Sequence, residues 1–461
     1  MVAGVTALVV VTVAVLGALL VYRYQQIDRI ELPDGLLPDE ARGDPQNFLI
    51  VGSDSRNFVE VDAERDAYGT ADEVGPPKAD TILVARTFPD DDRIALVSFP
   101  RDLWVDIPGA GQGRINTAIE GGTARLVETL DQHFGIPINH VVQIDFRGFK
   151  GLVNAVGGVD VYFPSPVRDW DREKNLSPTG LEIRDGGCVR LDGDTALAYV
   201  RSRHYERLID GEWHPDPTGD LNRITRQQDF IRRTLRQSLS RGLGDPRRLN
   251  DVVRSAVDFV ELSEGLGFLD ILAFGRQFRS LSAESLETYS LPTKPGVTAG
   301  GAQVLYLQDE AAQPVLDVLR GRIARPEVLL PGSVRLNIVD GSGARNQLQR
   351  AAFRLAAAGF IVANTGDAAD VTRMTTIRYG SGQRGKAELL ATALVGPSEL
   401  VEDADLAGVD VVLVLGRDFR GVKETAPTST IASESSTTTA APASAAPPST
   451  RAEEAPTTPE C

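Results

Sequence analysis

Hydrophobic and polar positions divide this chain into stretches of very different rhythm. Residues 2–22 are almost unbroken Val, Ala, Leu and Gly with no charge, and about 20 apolar residues are enough to cross a bilayer as a helix. No small-residue cleavage pattern precedes Arg23, so residues 1–22 are expected to remain as a transmembrane anchor. The flanking basic residues, Arg23 and Arg29, follow the segment, which runs against an outward-facing domain under the rule that Lys and Arg stay cytoplasmic. Residues 23–46, polar with Pro33, Pro38 and Pro45, are expected to be a spacer.

From residue 47 the rhythm changes. The stretches 48–51, 82–85 and 94–99 are short β-branched apolar runs of the kind buried in a sheet, with a polar loop expected over 57–79. Helical spacing is expected over 118–134, 146–156, 221–239 and 248–281, and strands over 141–144, 159–163 and 197–200. Asp220 stands where it would cap the 221–239 helix. Alternating strands and helices predict a layered α/β domain with a central mixed sheet over 47–292. A connector over 293–332, with Pro295, Pro326 and Pro331, leads to a second, smaller α/β pattern over 333–420. There a strand over 334–339, the turn Asp340-Gly-Ser-Gly343 and a helix to 358 precede strands over 360–363, 375–378 and 409–415, with a helix over 383–395. Its own apolar pattern predicts that few contacts cross to the first domain and that the chemistry does not need it. Residues 424–461 are Thr, Ser, Ala, Pro and Glu, a composition expected to be disordered.

A length of 461 residues is too great for one core. The net charge of −16 argues against a nucleic-acid partner, which needs a basic face. Cys188 and Cys461 are the only cysteines. A cysteine-based metal site is thereby excluded, and a bridge to a tail cysteine across so long a loop is not expected. The four histidines show no metal-ligand spacing, no G-x-S-x-G elbow is present, and Gly121-Gly122 and Gly157-Gly158 read as turns rather than nucleotide loops.

Against this acidic background the arginines stand out. Asp54 and Asp80 lie at expected strand ends, and two carboxylates there suit a hard cation such as Mg²⁺. Either one alone reads as readily as a turn cap or an ion-pair partner. Arg101 follows the 94–99 strand. Arg201 and Arg203 end the expected 197–200 strand, where a spacing of two puts both on one face. Arg223 and Arg226 share one side of the 221–239 helix, near a terminus that itself attracts anions, with Gln227 on the same turn. Surface pairing with Asp102, Asp216 or Asp220 is the competing reading for any one of them. Five planar forks together match a polyanion better.

The motifs Asn47-Phe-Leu-Ile-Val-Gly-Ser-Asp54-Ser-Arg56, Asp80-Thr-Ile-Leu, Ser98-Phe-Pro-Arg101-Asp102, Arg114-Ile-Asn-Thr-Ala, Asn154-Ala-Val-Gly-Gly-Val-Asp160 and Leu191 to Arg201 occur in order, with the arginine cluster after them. Over about 44–240 the chain thereby resembles the LytR-CpsA-Psr family, and over 333–420 the small LytR C-terminal domain, although Asp340 departs from the latter's usual Asn. The resemblance implies a membrane-anchored, extracytoplasmic phosphotransferase. Its donor would be a polyprenyl-pyrophosphate-linked glycan and its acceptor a peptidoglycan hydroxyl, the C6 hydroxyl of muramic acid, with arabinogalactan among the polymers to be attached. It also implies that Asp54 and Asp80 hold Mg²⁺ or Mn²⁺ and that Arg101, Arg201, Arg203, Arg223, Arg226 and Gln227 grip the pyrophosphate. Asp80, Arg101, Arg203 and Arg223 would carry the catalysis, and an apolar cavity would take the prenyl chain. Read without the resemblance, the residues leave a non-enzymatic lipid-glycan binding or regulatory protein, or a pyrophosphatase, open.

Overall fold

The computed structural model describes residues 22, 24–41, 43–53, 78–209, 211–216, 220–240, 260–267, 270, 285–324, 328–344, 346–368, 370–406, 408–423 and 429–430. The expected anchor, Asp54 with the polar insert after it, and nearly all of 424–461 lie outside them. Among the described residues no helix is long and apolar enough to cross a membrane.

The first half of the chain runs β1 (Arg29–Ile30), β2 (Asn47–Ser53), β3 (Ala79–Phe88), β4 (Arg93–Phe99), the hairpin β5 (Trp104–Ile107) and β6 (Gly111–Arg114), and α1 (Thr123–Phe134). Then come β7 (His140–Ile144), α2 (Phe146–Ala155), β8 (Val159–Phe163), β9 (Val167–Asp169), β10 (Glu182–Ile183), β11 (Gly187–Leu191) and α3 (Gly193–Arg201). β12 (Tyr205–Ile209), β13 (Glu212–Pro215), α4 (Asp220–Ser240), β14 (Val260–Ser263), β15 (Leu286–Ser290), the hairpin β16 (Thr293–Val297) and β17 (Gln303–Leu307), and α5 (Asp309–Leu319) complete it.

Seven of these strands form one mixed sheet in the order β1-β14-β7-β2-β3-β4-β15. Its inner strands are covered on both faces, which is why β4, Arg-Ile-Ala-Leu-Val-Ser-Phe, reads as a near-continuous apolar run. On one face α1 and α5 supply Leu126, Leu130, Phe134, Val315, Leu316 and Leu319 to the main core. On the other, Ile231 of α4 packs over Leu83, Ala85, Leu96 and Leu286. The antiparallel sheet β10-β9-β12-β13 stands beside this layer.

The small domain follows β18 (Val328–Leu329) and holds β19 (Arg335–Asp340), α6 (Gln347–Ala357), β20 (Ile361–Asp367), β21 (Thr376–Tyr379), α7 (Arg384–Ala393), β22 (Glu399–Glu402) and β23 (Val411–Leu415). Its mixed sheet has the order β20-β19-β23-β21-β22 around a core of its own. The last described piece, β24 (Ser429–Thr430), pairs with β18.

Several elements depart from the sequence reading. The run expected as a strand over 197–200 is part of α3. Asp192 caps it by accepting from the Thr195 amide at 2.9 Å, and Ala196, Leu197 and Val200 recur at helical spacing on its buried side. Within the expected 248–281 helix, Val260–Ser263 is a strand that pairs between β1 and β7. The expected 118–134 helix is broken at Gly122 (φ 89°) into a 3₁₀ turn and α1. Residues 293–332, read as a connector, hold the β16–β17 hairpin and α5. Cys188 is disulfide-bonded, although a bridge to the tail cysteine was not expected. The other cysteine of the chain, Cys461, lies outside the described residues.

Candidate functional site

Four separate pieces of chain converge on Asp80. This residue is second in β3, whose first residue, Ala79, pairs with Ser53 at the end of β2. The approach of the two strands there is close: a Cβ on Gly52 would stand 3.0 Å from that of Thr81, so glycine permits the pairing. Arg101, in the turn after β4, donates from Nη1 to Asp80 Oδ1 at 2.9 Å. Arg203, past the end of α3, brings Nη2 to 3.7 Å from the same oxygen. Arg223, on the first turn of α4 and 3% exposed, donates from Nη1 to the Asp80 carbonyl at 3.1 Å. The expected cluster of Asp80, Arg101, Arg203 and Arg223 is therefore assembled.

The other expected residues stand around it. Arg201, the last residue of α3, lays its guanidinium over the Phe146 ring at 4.1 Å. Arg201 and Arg203 do not share a face by strand alternation, because the chain is helical up to Arg201 and then leaves the helix through Ser202. Arg226 is engaged by the Ser202 carbonyl, by Asp216 at 3.7 Å and by the Tyr205 ring at 4.7 Å, so the competing surface-pair reading applies to it in a buried form. Gln227 donates to the Val200 carbonyl at 3.3 Å. Arg101 also lies 3.5 Å from Asp102, which is shared with Arg114 at 3.3 Å.

Two positioning residues escaped the sequence reading. Asp169, wholly buried at the end of β9, accepts through Oδ1 from Ser202 Oγ (2.8 Å), the Arg203 amide (3.2 Å) and the His204 amide (2.8 Å). Its Oδ2 takes the Thr179 amide and hydroxyl at 3.1 and 2.8 Å. A saturated buried carboxylate thus fixes the loop that presents Arg203. Gln228 donates from Nε2 to Ser98 Oγ, the Tyr289 carbonyl and Ser290 Oγ at 2.9, 3.2 and 3.2 Å, which pins α4 to the ends of β4 and β15. No local pattern marks Asp169. Gln228 could have been suspected from its place beside Gln227 on the helix that carries Arg223 and Arg226.

The site suits an anion with several oxygens. Arg101 and Arg203 meet the Asp80 carboxylate, Arg223 its backbone carbonyl, and Asp102 lies beside Arg101, so guanidiniums outnumber the described carboxylates in a partly buried setting where Coulomb attraction is stronger than in water. The implied divalent ion fits what is described. Asp80 Oδ2 accepts no hydrogen bond among the described residues, while Oδ1 is held by arginines. One carboxylate oxygen left open suits a hard cation that completes its shell from phosphate and water. Among the described residues no group of three or more His, Cys, Asp and Glu gathers.

The model of the LytR_cpsA_psr family matches residues 25–320, a span that includes every residue of this cluster. The chain belongs to that family. A second model, described as LytR cell envelope-related transcriptional attenuator, matches residues 333–419, the small domain. Among relatives of this LytR-CpsA-Psr protein, the probable cell wall biosynthesis protein LcpB of Corynebacterium glutamicum is 34% identical over 221 residues, covering 48% of this chain and 48% of that protein. The chain thus spans about half the length of that relative. A polyisoprenyl-teichoic acid–peptidoglycan teichoic acid transferase TagU of Enterococcus faecalis is 32% identical over 239 residues, covering 51% of this chain and 67% of that one. A solved LytR-Csp2A-Psr enzyme from Actinomyces oris is 25% identical, covers 64% of this chain and 95% of its own, and superposes with a TM-score of 0.49.

Proposed function

We propose that this protein transfers a glycopolymer phosphate from a polyprenyl-pyrophosphate carrier to a peptidoglycan hydroxyl. The observation that carries the reading is the convergence of Arg101, Arg203 and Arg223 on Asp80. The names of the transferase relatives support it. A hydroxyl oxygen of the acceptor attacks the phosphorus nearer the glycan, and its proton ends on the departing phosphate or in water. The bond from that phosphorus to the bridging oxygen breaks, and polyprenyl phosphate leaves. Negative charge shifts toward the bridging and non-bridging oxygens during this step, and fixed guanidiniums in place beforehand stabilise it, so catalysis is mainly positioning and electrostatics.

Arg101 and Arg203 are held on Asp80 Oδ1 and can move their forks onto phosphate oxygens. The buried Arg223, fixed on the Asp80 carbonyl, has little room to move and acts as the rigid contact. Asp80 Oδ2, with Asp54 next in sequence to Ser53, would hold Mg²⁺ or Mn²⁺, which when bound neutralises pyrophosphate charge. The apolar layer of Leu83, Leu96 and Leu286 beneath α4, flanked by the half-buried Phe48, Ile50 and Ile94, is a surface suited to a prenyl chain. A lipid-linked donor is confined to the membrane, so tethering by residues 1–22, with the catalytic domain outside, would bring enzyme and donor together. Attachment of arabinogalactan falls within the same chemistry.

Incubating the protein with a lipid-pyrophosphate glycan donor and peptidoglycan fragments tests this. A phosphodiester-linked conjugate by mass spectrometry is expected. Release of free glycan phosphate alone would make it a pyrophosphatase, and an unconsumed donor that binds would make it a carrier.

A further inference from the structure

Among the described residues, the small domain has a cleft of about 580 Å³ lined by four cations and by no carboxylate. Two of them, Arg350 and Arg354, lie on α6 one turn apart. The other two, Arg420 and Lys423, lie on the segment after β23. Like charges at that helical spacing repel by a few tenths of a kcal/mol, and the chain as a whole carries 64 acidic residues against 48 basic ones. Elsewhere in the domain Arg378, Arg384 and Lys386 are each ion-paired with Asp403, Glu388 and Asp410. Among the described residues Arg350 and Arg420 have no such partner.

Backbone carbonyls take part in holding the cluster. Lys423 Nζ donates to the Thr392 carbonyl at 2.7 Å, Arg354 Nη1 to the Val422 carbonyl at 3.4 Å, and Gln347 Nε2 to the Phe419 carbonyl at 2.9 Å. The cleft also has an apolar side. Val395 is 42% exposed, and Phe419 is half-buried beside it. Cations and apolar carbon in one cleft match a saccharide or polyol chain that carries phosphates at intervals.

We propose that this cleft binds a phosphodiester-linked, anionic polymer segment at a site separate from the Asp80 cluster, retaining the polymer while its end reacts there. The naming of a wall polymer rests on the transferase reading, whereas the anion site stands on the charges alone. A concave wall favours a single polymer strand over an anionic bilayer, whose surface cannot follow it.

The test uses the full chain and a synthetic glycerol phosphate decamer, with inorganic phosphate, maltodecaose and phosphatidylglycerol vesicles as parallel arms. The decamer is expected to bind and to weaken with salt, as exposed ionic contacts do. Binding should fall about tenfold or more in the Arg350→Gln/Arg420→Gln double variant. Arg384→Gln, which removes a charge elsewhere in the domain, should leave it unchanged, and maltodecaose and free phosphate should not bind. Decamer binding equal in parent and double variant, or none in the parent, overturns the proposal. Vesicle binding that the double variant abolishes overturns it in favour of a lipid surface. Prenyl pyrophosphate affinity should be the same in both proteins. If the parent does not bind prenyl pyrophosphate, the transferase reading fails while the decamer arms still decide the cleft.

Discussion

Asp169 never meets the pyrophosphate in this account, yet the loop bearing Arg203 hangs from it. Removing a buried acceptor of five hydrogen bonds leaves several donors unsatisfied, so Asp169→Ala should cost on the order of 3 kcal/mol. Thermal unfolding measures that cost. A second readout, transfer activity at a temperature where the variant is fully folded, should fall as well, and an unchanged rate would detach Asp169 from the site. For the arginines the decisive property is shape rather than charge. Arg101→Lys, Arg203→Lys and Arg223→Lys each keep the charge but lose the planar fork, and each should lower kcat/KM for the donor about tenfold or more. Parent-like kinetics in all three would make them surface pairs. At this scale the sequence was informative where residue type alone carries the chemistry, as for Arg101 and Arg223. It was silent on Asp169, whose partners are contributed by residues up to 35 positions away in the chain.

At the scale of elements, α3 is placed by an unusually close contact. Gly193 packs against α2 so tightly that a Cβ there would stand 2.5 Å from the Lys150 carbonyl oxygen, and the Gly193 amide donates to Asn154 Oδ1 at 2.8 Å. Gly193→Ala should therefore push α3 outward, cost about 1–3 kcal/mol and reduce transfer by displacing Arg203. Calorimetry and activity measured together check it, and a fully stable variant would mean that the helix has slack. The same region shows why α3 was misread: Ala-Leu-Ala-Tyr-Val fits a short strand as well as a helix, and the capping Asp192 settles the matter only once the amide it receives is seen. Helix α4 is clamped differently. Burial pushes the Asp229 carboxyl up, but Arg335, at 3.0 Å, and Arg233, at 2.7 Å, outweigh it and hold the group at about 2 instead of 3.8. A depressed carboxyl stabilises the fold above its unfolded value, so about 2 kcal/mol should be present above roughly pH 4 and lost as pH falls toward 2. Asp229→Asn should flatten that part of the acid-unfolding curve. An acid limb identical to the parent's would contradict the clamp.

In the whole molecule the two domains are joined more firmly than their separate patterns suggested. Arg335 begins β19 of the small domain while Asp229 belongs to α4, three residues after Arg226. Arg207 of β12 also reaches Thr365 of β20. Helix α5 serves both cores, with Ala311 in the small domain's and Ala312, Val315 and Leu316 in the main one. Such contacts are invisible to a reading that treats each apolar period by itself, which is why 293–332 looked like a connector. The two-domain α/β layout was legible because each sheet's strands are short apolar runs of their own, whereas the β9–β12–β13 sheet was not, its strands being short and interrupted by charged residues. Arg335→Gln in the full chain should speed amide exchange in the first turns of α4, and exchange equal to the parent's would mean that the small domain does not support that helix.

Whether Arg101, Arg203 and Arg223 around Asp80 form a pyrophosphate site is decided by calorimetric titration with geranylgeranyl pyrophosphate and geranylgeranyl monophosphate. The account predicts that the parent binds the pyrophosphate at least about tenfold more tightly than the monophosphate and that Arg223→Lys abolishes the difference. Equal affinity for the two lipids, or a preference that survives in Arg223→Lys, would contradict it.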